Sequence, residues 1–240
     1  MRQKLRSALT LSALLLALTG CAELNQLAGA PGTGAGAGAL SSLQLADGVR
    51  ETLKLSTERA VEDLGQAGGY ADNPLFHIGL PEPVQQIAEP LRRFGLGAQV
   101  DQVESLINRG AELAAGQAKD VFLNAISAMS VEDAMGIIRG GDTAATDYFQ
   151  AQTAATLTER YRPIIEQQLQ TLGFYDQYKS LLGAYKLLPM ANKPDLDLEQ
   201  YAVNQGVSAL FQQIGLEEQR IRANPLQEGT AFLAKVLAAR

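Results

Sequence analysis

The sequence predicts an all-α protein, with a single domain of about seven to eight helices and no sheet. Apolar residues recur at spacings of three and four along most of the chain after residue 39, which is the period of a helix with one buried face. No run alternates between polar and apolar residues for long enough to form a strand. About 200 residues follow Ala39, enough for one substantial core. We therefore expect residues 40–240 to form one all-helical domain.

The first twenty residues have the organisation of a secretion signal. Arg2, Lys4 and Arg6 form a basic start, and residues 8–18 are an uncharged, mainly aliphatic stretch. That stretch has the length of a signal-peptide core and is well short of the ~18 to 20 apolar residues that cross a bilayer. We predict a signal peptide over residues 1–20, and the residue that follows it indicates its kind.

Cys21 is the only cysteine in the chain, and it stands where this signal peptide should be cleaved. It follows Leu18-Thr19-Gly20, a hydrophobic residue and two small ones, which resembles a bacterial lipobox. The resemblance implies a lipoprotein in which the Cys21 thiol carries diacylglycerol and the new amino group is acylated, for example with palmitate. Several acyl chains together anchor a protein stably to a membrane. The alternative is an ordinary signal peptide with an incidental cysteine.

The predicted anchor leads to a predicted tether and a location. Residues 21–39 end in AGAPGTGAGAGA, where glycine and alanine alternate with no pattern to bury, so we predict a flexible Gly/Ala tether. Its mean span as a coil is about 24 Å. Lipoproteins kept at the inner membrane often carry Asp after the cysteine, whereas this chain has Ala22. We therefore expect the periplasmic face of the outer membrane.

Charge and residue counts exclude several classes of function. The formal net charge is −6, and loss of the three signal-peptide cations makes the mature chain more acidic. Nucleic-acid binders depend on Lys and Arg to displace counterions, so we expect no nucleic-acid partner. One histidine and one cysteine exclude a metal cluster built from these residues, and we predict no metal and no cofactor. With Cys21 lipidated, the fold has no disulfide and depends on burial alone.

The helices can be placed in order from the apolar spacing and its breaks. A first helix is closed by Gly68-Gly69. The proline-rich stretch ADNPLFHIGLPEP follows as the longest non-helical segment of the domain. A second helix covers residues 83–94 and ends at Gly95, and one apolar stripe from Val100 to Ile126 predicts a long third helix. Ser130, three residues before Asp133, resembles a capping box that starts a short helix. Further helices are predicted over 131–139, 143–172, 175–188, 197–223 and 228–238.

The corner IIRGGDTAATDYF, residues 137–149, has two interpretations. Gly140 and Gly141 fall where a left-handed residue would end the short helix, and Asp142 precedes the next helix as a predicted N-cap. Capping alone therefore explains the corner. A phosphate-binding loop would need a longer glycine spacing with Lys-Ser/Thr, or a preceding strand, and neither is present. A functional corner stays open as the alternative.

Three segments carry a resemblance to a known family. They are IGLPEPVQQIAEPLRRFGLG, the stretch from Asn108 to Phe149, and EEQRIRANP near the end of the chain. Together they resemble the bacterial family known as domain of unknown function 4197 over nearly all of residues 42–237. The resemblance implies an all-helical fold, export or lipid anchoring, and no assigned activity. Thr143 stands where a second Asp is usual, which weakens the idea of an acid-base carboxylate pair at the corner.

Few residues are candidates for catalysis. His77, the single histidine, lies in the proline-rich stretch and is predicted to be a bystander. Glu104, Asn108 and Glu112 fall on one helix stripe, a spacing that could offer oxygen ligands to a hard cation. The pair Glu217-Glu218 has a spacing that we assign to a solvated helix face. We lean towards a protein that is not an enzyme.

A candidate polar patch comes from the segments that carry the resemblance. Its members are charged or amide residues among apolar neighbours, so that some must be buried or meet at helix ends: Asn108, Arg109, Glu112, Arg139 and Asp142. A buried arginine needs a carboxylate, and Arg139 with Asp142 or Glu112 would satisfy it. The patch is then either a structural network or the lining of a groove for a peptide or lipid.

The sequence therefore predicts a lipid-anchored, non-catalytic binding module of the cell envelope. Its expected partners are the membrane, through Cys21, and an envelope protein or an amphiphile. The alternatives are a carrier of lipid or another amphiphile, and a hydrolase-like enzyme that uses carboxylates near Glu112 and Asp142. An apolar groove would favour binding, whereas convergent ionisable groups in a pocket would favour catalysis.

Overall fold

The computed structural model of the protein describes residues 40–138, 140–187 and 197–238. Across these ranges the chain forms nine helices and no strand, which confirms the predicted all-α class. The predicted signal peptide, Cys21, the tether and Arg139 lie outside the described residues. The helices are α1 Ser42–Gly65, α2 Glu82–Arg93, α3 Gly97–Ser127, α4 Val131–Ile137, α5 Ala144–Thr171, α6 Phe174–Tyr185, α7 Leu198–Ala223, α8 Pro225–Glu228 and α9 Ala231–Leu237.

Four long helices form the core of the domain. Helix α1 packs against α3 and α7, and α5 packs against the same two helices, so that the four close into a bundle. Phe122 of α3, Phe149 of α5 and Phe211 of α7 meet inside it, with ring centroids 5.5 to 6.4 Å apart. Such tilted and edge-on contacts add to the burial of apolar area, which is the main stabilising term.

The helix ends follow local sequence signals. Ser130 and Asp133 form the predicted capping box, in which each side chain accepts from the other residue's backbone N–H. Gly95 and Gly173 have φ values of 82° and 74° and end α2 and α5, as predicted. In this left-handed region a side chain would strain the backbone. The predicted range 143–172 differs from α5 by one residue at each end.

Helices α1 and α3 approach each other closely where two glycines meet. A Cβ on Gly65 would lie 3.2 Å from the Cα and N of Gly116. Small residues at this crossing let the backbone of α1 rest on that of α3, which brings the loop after α1 against the middle of α3. Within the described ranges no helix is both long and apolar enough to cross a bilayer.

Candidate functional site

The corner before α5 is not capped in the way that the sequence predicted. Gly141 does not have a positive φ, so the left-handed C-cap is wrong at this glycine, whereas the φ of Gly140 depends on Arg139, which lies outside the described residues. A Cβ on Gly140 would instead overlap the Cβ of Ala144, which explains the glycine by close packing. The predicted N-cap is also wrong, because the N-cap of α5 is Thr143 and Asp142 is exposed, with no polar partner among the described residues.

The carboxylate that caps α5 comes from α7. Glu218 accepts hydrogen bonds from the N–H groups of Ala145 (3.1 Å) and Thr146 (2.7 Å) and from the Thr146 hydroxyl (2.6 Å). It also accepts from Nε of Arg222 at 2.6 Å, in an ion pair that is almost completely buried. The assignment of Glu217-Glu218 to a solvated face was wrong, since both carboxylates are buried. Desolvation raises the pKa of Glu217, and the Arg220 guanidinium opposes this rise.

A second buried carboxylate holds the loop that follows α1. Oε1 of Glu112 accepts from the N–H groups of Gly68 (2.9 Å), Ala71 (3.2 Å) and Tyr70 (3.4 Å). Its Oε2 accepts from Nη1 of Arg109 at 3.0 Å, and the Glu112 side chain is 2% exposed. The patch residues Arg109 and Glu112 are therefore brought together, and they act on the backbone of another segment.

Asn108 and His77 hold the far end of the same loop. The Asn108 side chain accepts from the Ile78 N–H at 2.8 Å and donates to the Ile78 carbonyl at 2.9 Å. The His77 ring contacts the Ala71 carbonyl and Oε1 of Glu104, each at 2.9 Å. One carboxylate oxygen of Glu104, the amide oxygen of Asn108 and both carboxylate oxygens of Glu112 are therefore bonded to protein groups. In the part of the chain that the structure describes, no group of three His, Cys, Asp or Glu side chains is placed to hold a metal ion.

Residues 66–81, the α1–α2 loop, are shaped into a projecting turn. Oδ1 of Asn73 accepts from the Leu75 N–H at 3.0 Å, and the Asn73 carbonyl accepts from the His77 N–H at 2.9 Å. Leu75 is consequently 71% exposed at the tip, while its neighbour Phe76 is buried. Binding residues lie disproportionately on loops that a rigid scaffold holds in place, and this loop is held in that way.

A surface depression, which we call the α7 groove, lies between this loop, the start of α5 and one face of α7. It consists of two concavities of about 370 and 400 Å³ that share Leu75, Phe76 and Leu216. Its apolar floor includes Phe76, Phe211 and Leu216. Both volumes fall within the range of ligand pockets, roughly 300 to 1,000 Å³. Asn108 and Glu112 fix its loop wall and Glu218 fixes its α5 wall, although these three side chains do not line it.

The rim of the α7 groove is polar and acidic. Asp63, Asp72 and Asp147 line it, together with several glutamine amides. Among the residues that the structure describes, its one arginine is Arg220, which is paired with the buried Glu217 at 2.5 Å, so that this cation is already partly compensated. Neither His77 nor any cysteine is part of the lining. The groove therefore offers hydrophobic contact and negative charge, and within its lining the Thr143 hydroxyl donates to Oδ2 of Asp147 at 2.9 Å.

Part of this arrangement was predictable from the sequence. Asn108, Arg109 and Glu112 were identified, but not the segment that they hold, and Glu218 was assigned to the surface. A signal for Glu218 was present, because it falls on one stripe with Ile214 and Ile221, both buried in α7. Leu75 had a weaker signal, the Asn-Pro turn that precedes it.

Comparison with known proteins adds one finding. The family model described as "Protein of unknown function (DUF4197)" matches residues 39–238, which is most of the chain. Neither the comparison with curated proteins nor the comparison with solved structures gives a match.

Proposed function

Because this chain belongs to the DUF4197 family of proteins of unknown function, we propose its role from its own geometry. We propose that it is a non-catalytic binding module of the cell envelope whose α7 groove receives a segment of a protein partner. One observation carries the proposal: the buried side chains of Asn108, Glu112 and Glu218 all fix walls of this groove. Buried polar networks hold one geometry, and a pre-formed surface loses less entropy on binding.

The chemistry of the groove favours a particular kind of segment. Leu75 and Phe76 offer apolar contact on one side, and Leu216 offers it on the other. Carboxylates at Asp63, Asp72 and Asp147 surround that apolar strip. An apolar side chain flanked by Lys or Arg would fill the strip and complement the rim, which raises both the association rate and specificity.

Catalysis has less support from the same residues. Glu112 is buried, and its two oxygens accept from backbone N–H groups and from Arg109. Asp142 is exposed and lines neither concavity of the α7 groove. General acid-base catalysis requires a group within hydrogen-bond reach of a substrate proton. The hydrolase alternative therefore lacks an accessible pair of carboxylates at these two positions.

The proposal includes the membrane anchor. A lipidated Cys21 on the periplasmic face of the outer membrane, followed by the tether of residues 21–39, would let the domain search for a partner near the lipid surface. The lipobox-like residues before Cys21 and the glycine- and alanine-rich composition support this part. A domain tethered in this way would meet a partner near the membrane at a raised effective concentration.

Site-specific photo-crosslinking in cells tests the groove. A photoreactive phenylalanine analogue replaces Leu75 in one full-length variant and Leu226 in the control, since these leucines are 71% and 74% exposed. We expect a discrete crosslinked protein from position 75 that is lost when Asp147→Lys is added. Glu89→Lys, an exposed change on α2, should leave it in place. The same products from both positions, or a product insensitive to Asp147→Lys, would contradict the proposal.

A further inference from the structure

A separate concavity lies between α3 and α5, and we call it the α3–α5 groove. Its volume is about 540 Å³, and the C-terminal end of α3, the start of α4 and the first half of α5 line it. Phe149 and Leu157 in its floor are almost fully buried, and Met129 lies beside them. The groove shares no lining residue with the α7 groove.

One end of the α3–α5 groove is polar, and its hydrogen-bonding groups are already paired with one another. The Tyr148 hydroxyl donates to Oδ1 of Asp133 at 2.5 Å, and the Ser130 N–H donates to Oδ2 at 3.0 Å. These bonds, the Tyr148 bond first, lower the pKa of Asp133, and the bond to Asp133 raises the pKa of Tyr148. Asp133 is therefore a carboxylate with both oxygens engaged, and it closes the groove at this end.

The other end carries a cation that is free to bind. Arg160 lines the groove and forms no hydrogen bond or ion pair with any residue that the structure describes. Asn124, Gln152 and Thr156 also line it, and their side chains have no polar partner in the same described ranges. Tyr148 and Arg160 are twelve residues apart on one helix, so the groove extends about 18 Å along α5.

We propose that the α3–α5 groove binds a single-chain anionic amphiphile. The acidic head pairs with the Arg160 guanidinium and accepts from the hydroxyl of Thr156, one helical turn away on α5. The apolar chain lies on Leu157 and Phe149 and points towards Met129. A guanidinium without a partner beside a hydroxyl donor selects a carboxylate or a phosphate, and the aromatic and aliphatic floor selects a hydrocarbon body.

Competing ligand classes fit this groove less well. A cationic amphiphile would place its charge against Arg160. A neutral one would leave the guanidinium without a counter-charge once the head displaced water from it. Carboxylate and phosphate head groups are both anionic hydrogen-bond acceptors of the kind that Arg160 binds. The experiment below distinguishes between these two head groups.

Photoaffinity labelling of the full-length protein in membranes tests the site. The probe is dodecanoate with a diazirine at its tail, and dodecyl phosphate with the same tail forms the second arm. We expect labelled residues between 124 and 129 or between 148 and 157, with labelling removed by excess unlabelled dodecanoate or dodecyl phosphate. The stronger of the two arms identifies the preferred head group.

Two arginine variants decide the role of the cation. Arg160→Gln should reduce labelling about fivefold, the factor expected from losing one partly exposed charge pair, and Arg160→Lys should restore part of it. Arg93→Gln removes another exposed cation that has no partner among the described residues, and it should change nothing. Equal labelling by the methyl ester of the probe, no loss in Arg160→Gln, or labelling outside the groove would overturn the proposal. Circular dichroism of each variant confirms that the fold is retained.

Discussion

Two buried carboxylates show how single residues organise this domain. Glu112 and Glu218 each accept several backbone N–H bonds from another segment and pair with an arginine on their own helix, Arg109 and Arg222. Burial of a charge is costly unless its hydrogen-bonding capacity is filled, and both carboxylates meet that condition. The cost of removing either one is therefore the cost of leaving amides and a guanidinium without a partner.

Replacement of Glu218 should destabilise the protein far more than replacement of Asp142. Glu218→Ala leaves the amides of Ala145 and Thr146 and the Arg222 cation unpaired in the core, which should cost about 3 to 5 kcal/mol of unfolding free energy. Asp142→Ala and Asp142→Asn should both fall within about 0.5 kcal/mol of the parent, as surface changes do. Urea denaturation measures all three. Equal losses at positions 142 and 218 would restore Asp142 as the cap.

The residues that the sequence predicted correctly and those that it did not differ in how far along the chain their bonding partners lie. The Ser130 and Asp133 capping box is local, so its spacing was sufficient to predict it. Glu218 bonds to residues more than seventy positions away, and Asn108 bonds to Ile78 across thirty. Such pairings depend on how helices pack, which periodicity does not specify. The polar patch was therefore predicted as a set of residues, without the loop that two of them, Asn108 and Glu112, hold.

At the scale of elements, the α1–α2 loop is fixed at several points. Glu112 holds its start, Asn108 holds its end, and His77 ties it to Glu104 on α3. A long loop of this kind would otherwise be mobile, and its order is what keeps Leu75 in place. His77, predicted to be a bystander to catalysis, is here a structural contact.

The loop should loosen as the pH rises. The bond to Glu104 is the largest cause that raises the pKa of His77, with the Ala71 carbonyl and the charge of Asp72 acting in the same direction against desolvation. The folded pKa therefore exceeds the unfolded value of about 6.5. The stabilisation of the loop by protonated His77 is complete at pH values below the unfolded pKa, and it is lost as the pH rises through the folded pKa. Because His77 is partly exposed, we expect less than about 1 kcal/mol. Hydrogen exchange of residues 70–78 below and above this range should show the change, and His77→Gln should abolish it. Identical pH dependence in His77→Gln would contradict this role.

Two glycines of the α6 region should respond in opposite directions to alanine. Gly173 precedes the helix with a φ of 74°, and Gly183 lies inside it; a Cβ added at either position would have no other atom within 4 Å. Gly173→Ala should therefore cost roughly 1 to 2 kcal/mol of stability through backbone strain alone. Gly183→Ala should add about 0.5 to 1 kcal/mol through helix propensity. Thermal unfolding of the two variants measures the contrast, and a loss in both would show that packing decides instead.

At the scale of the whole molecule, the all-α class was predictable because amphipathic periodicity specifies helices directly. The predicted bounds of the long helices were close to those in the structure, as the third helix and α5 show. What periodicity did not specify is which polar residues meet, and hence the two grooves. The net negative charge of the chain did not predict where its charged groups lie. The structure places carboxylates around one groove and, among the described residues, an unpaired arginine in the other.

The anchor has its own test in cells. Cys21→Ala removes the thiol that would carry diacylglycerol, so the variant should be found uncleaved or in the soluble periplasmic fraction. Fractionation with immunoblotting follows the precursor and mature forms, and metabolic labelling with an alkyne-bearing palmitate reports acylation of the parent. A mature membrane pool of unchanged size in Cys21→Ala would contradict the proposed lipidation.

The most direct test of the proposed function separates the exposed tip of the loop from the stability of the fold. Leu75→Asp and Leu226→Asp change leucines of nearly equal exposure, 71% and 74%, and only the first lines the α7 groove. Both full-length variants should keep the parent melting temperature. When produced in a strain that lacks the protein, Leu226→Asp should reverse the phenotype of the deletion, whereas Leu75→Asp should not. Full restoration by Leu75→Asp at parental abundance would contradict a binding role for the α7 groove.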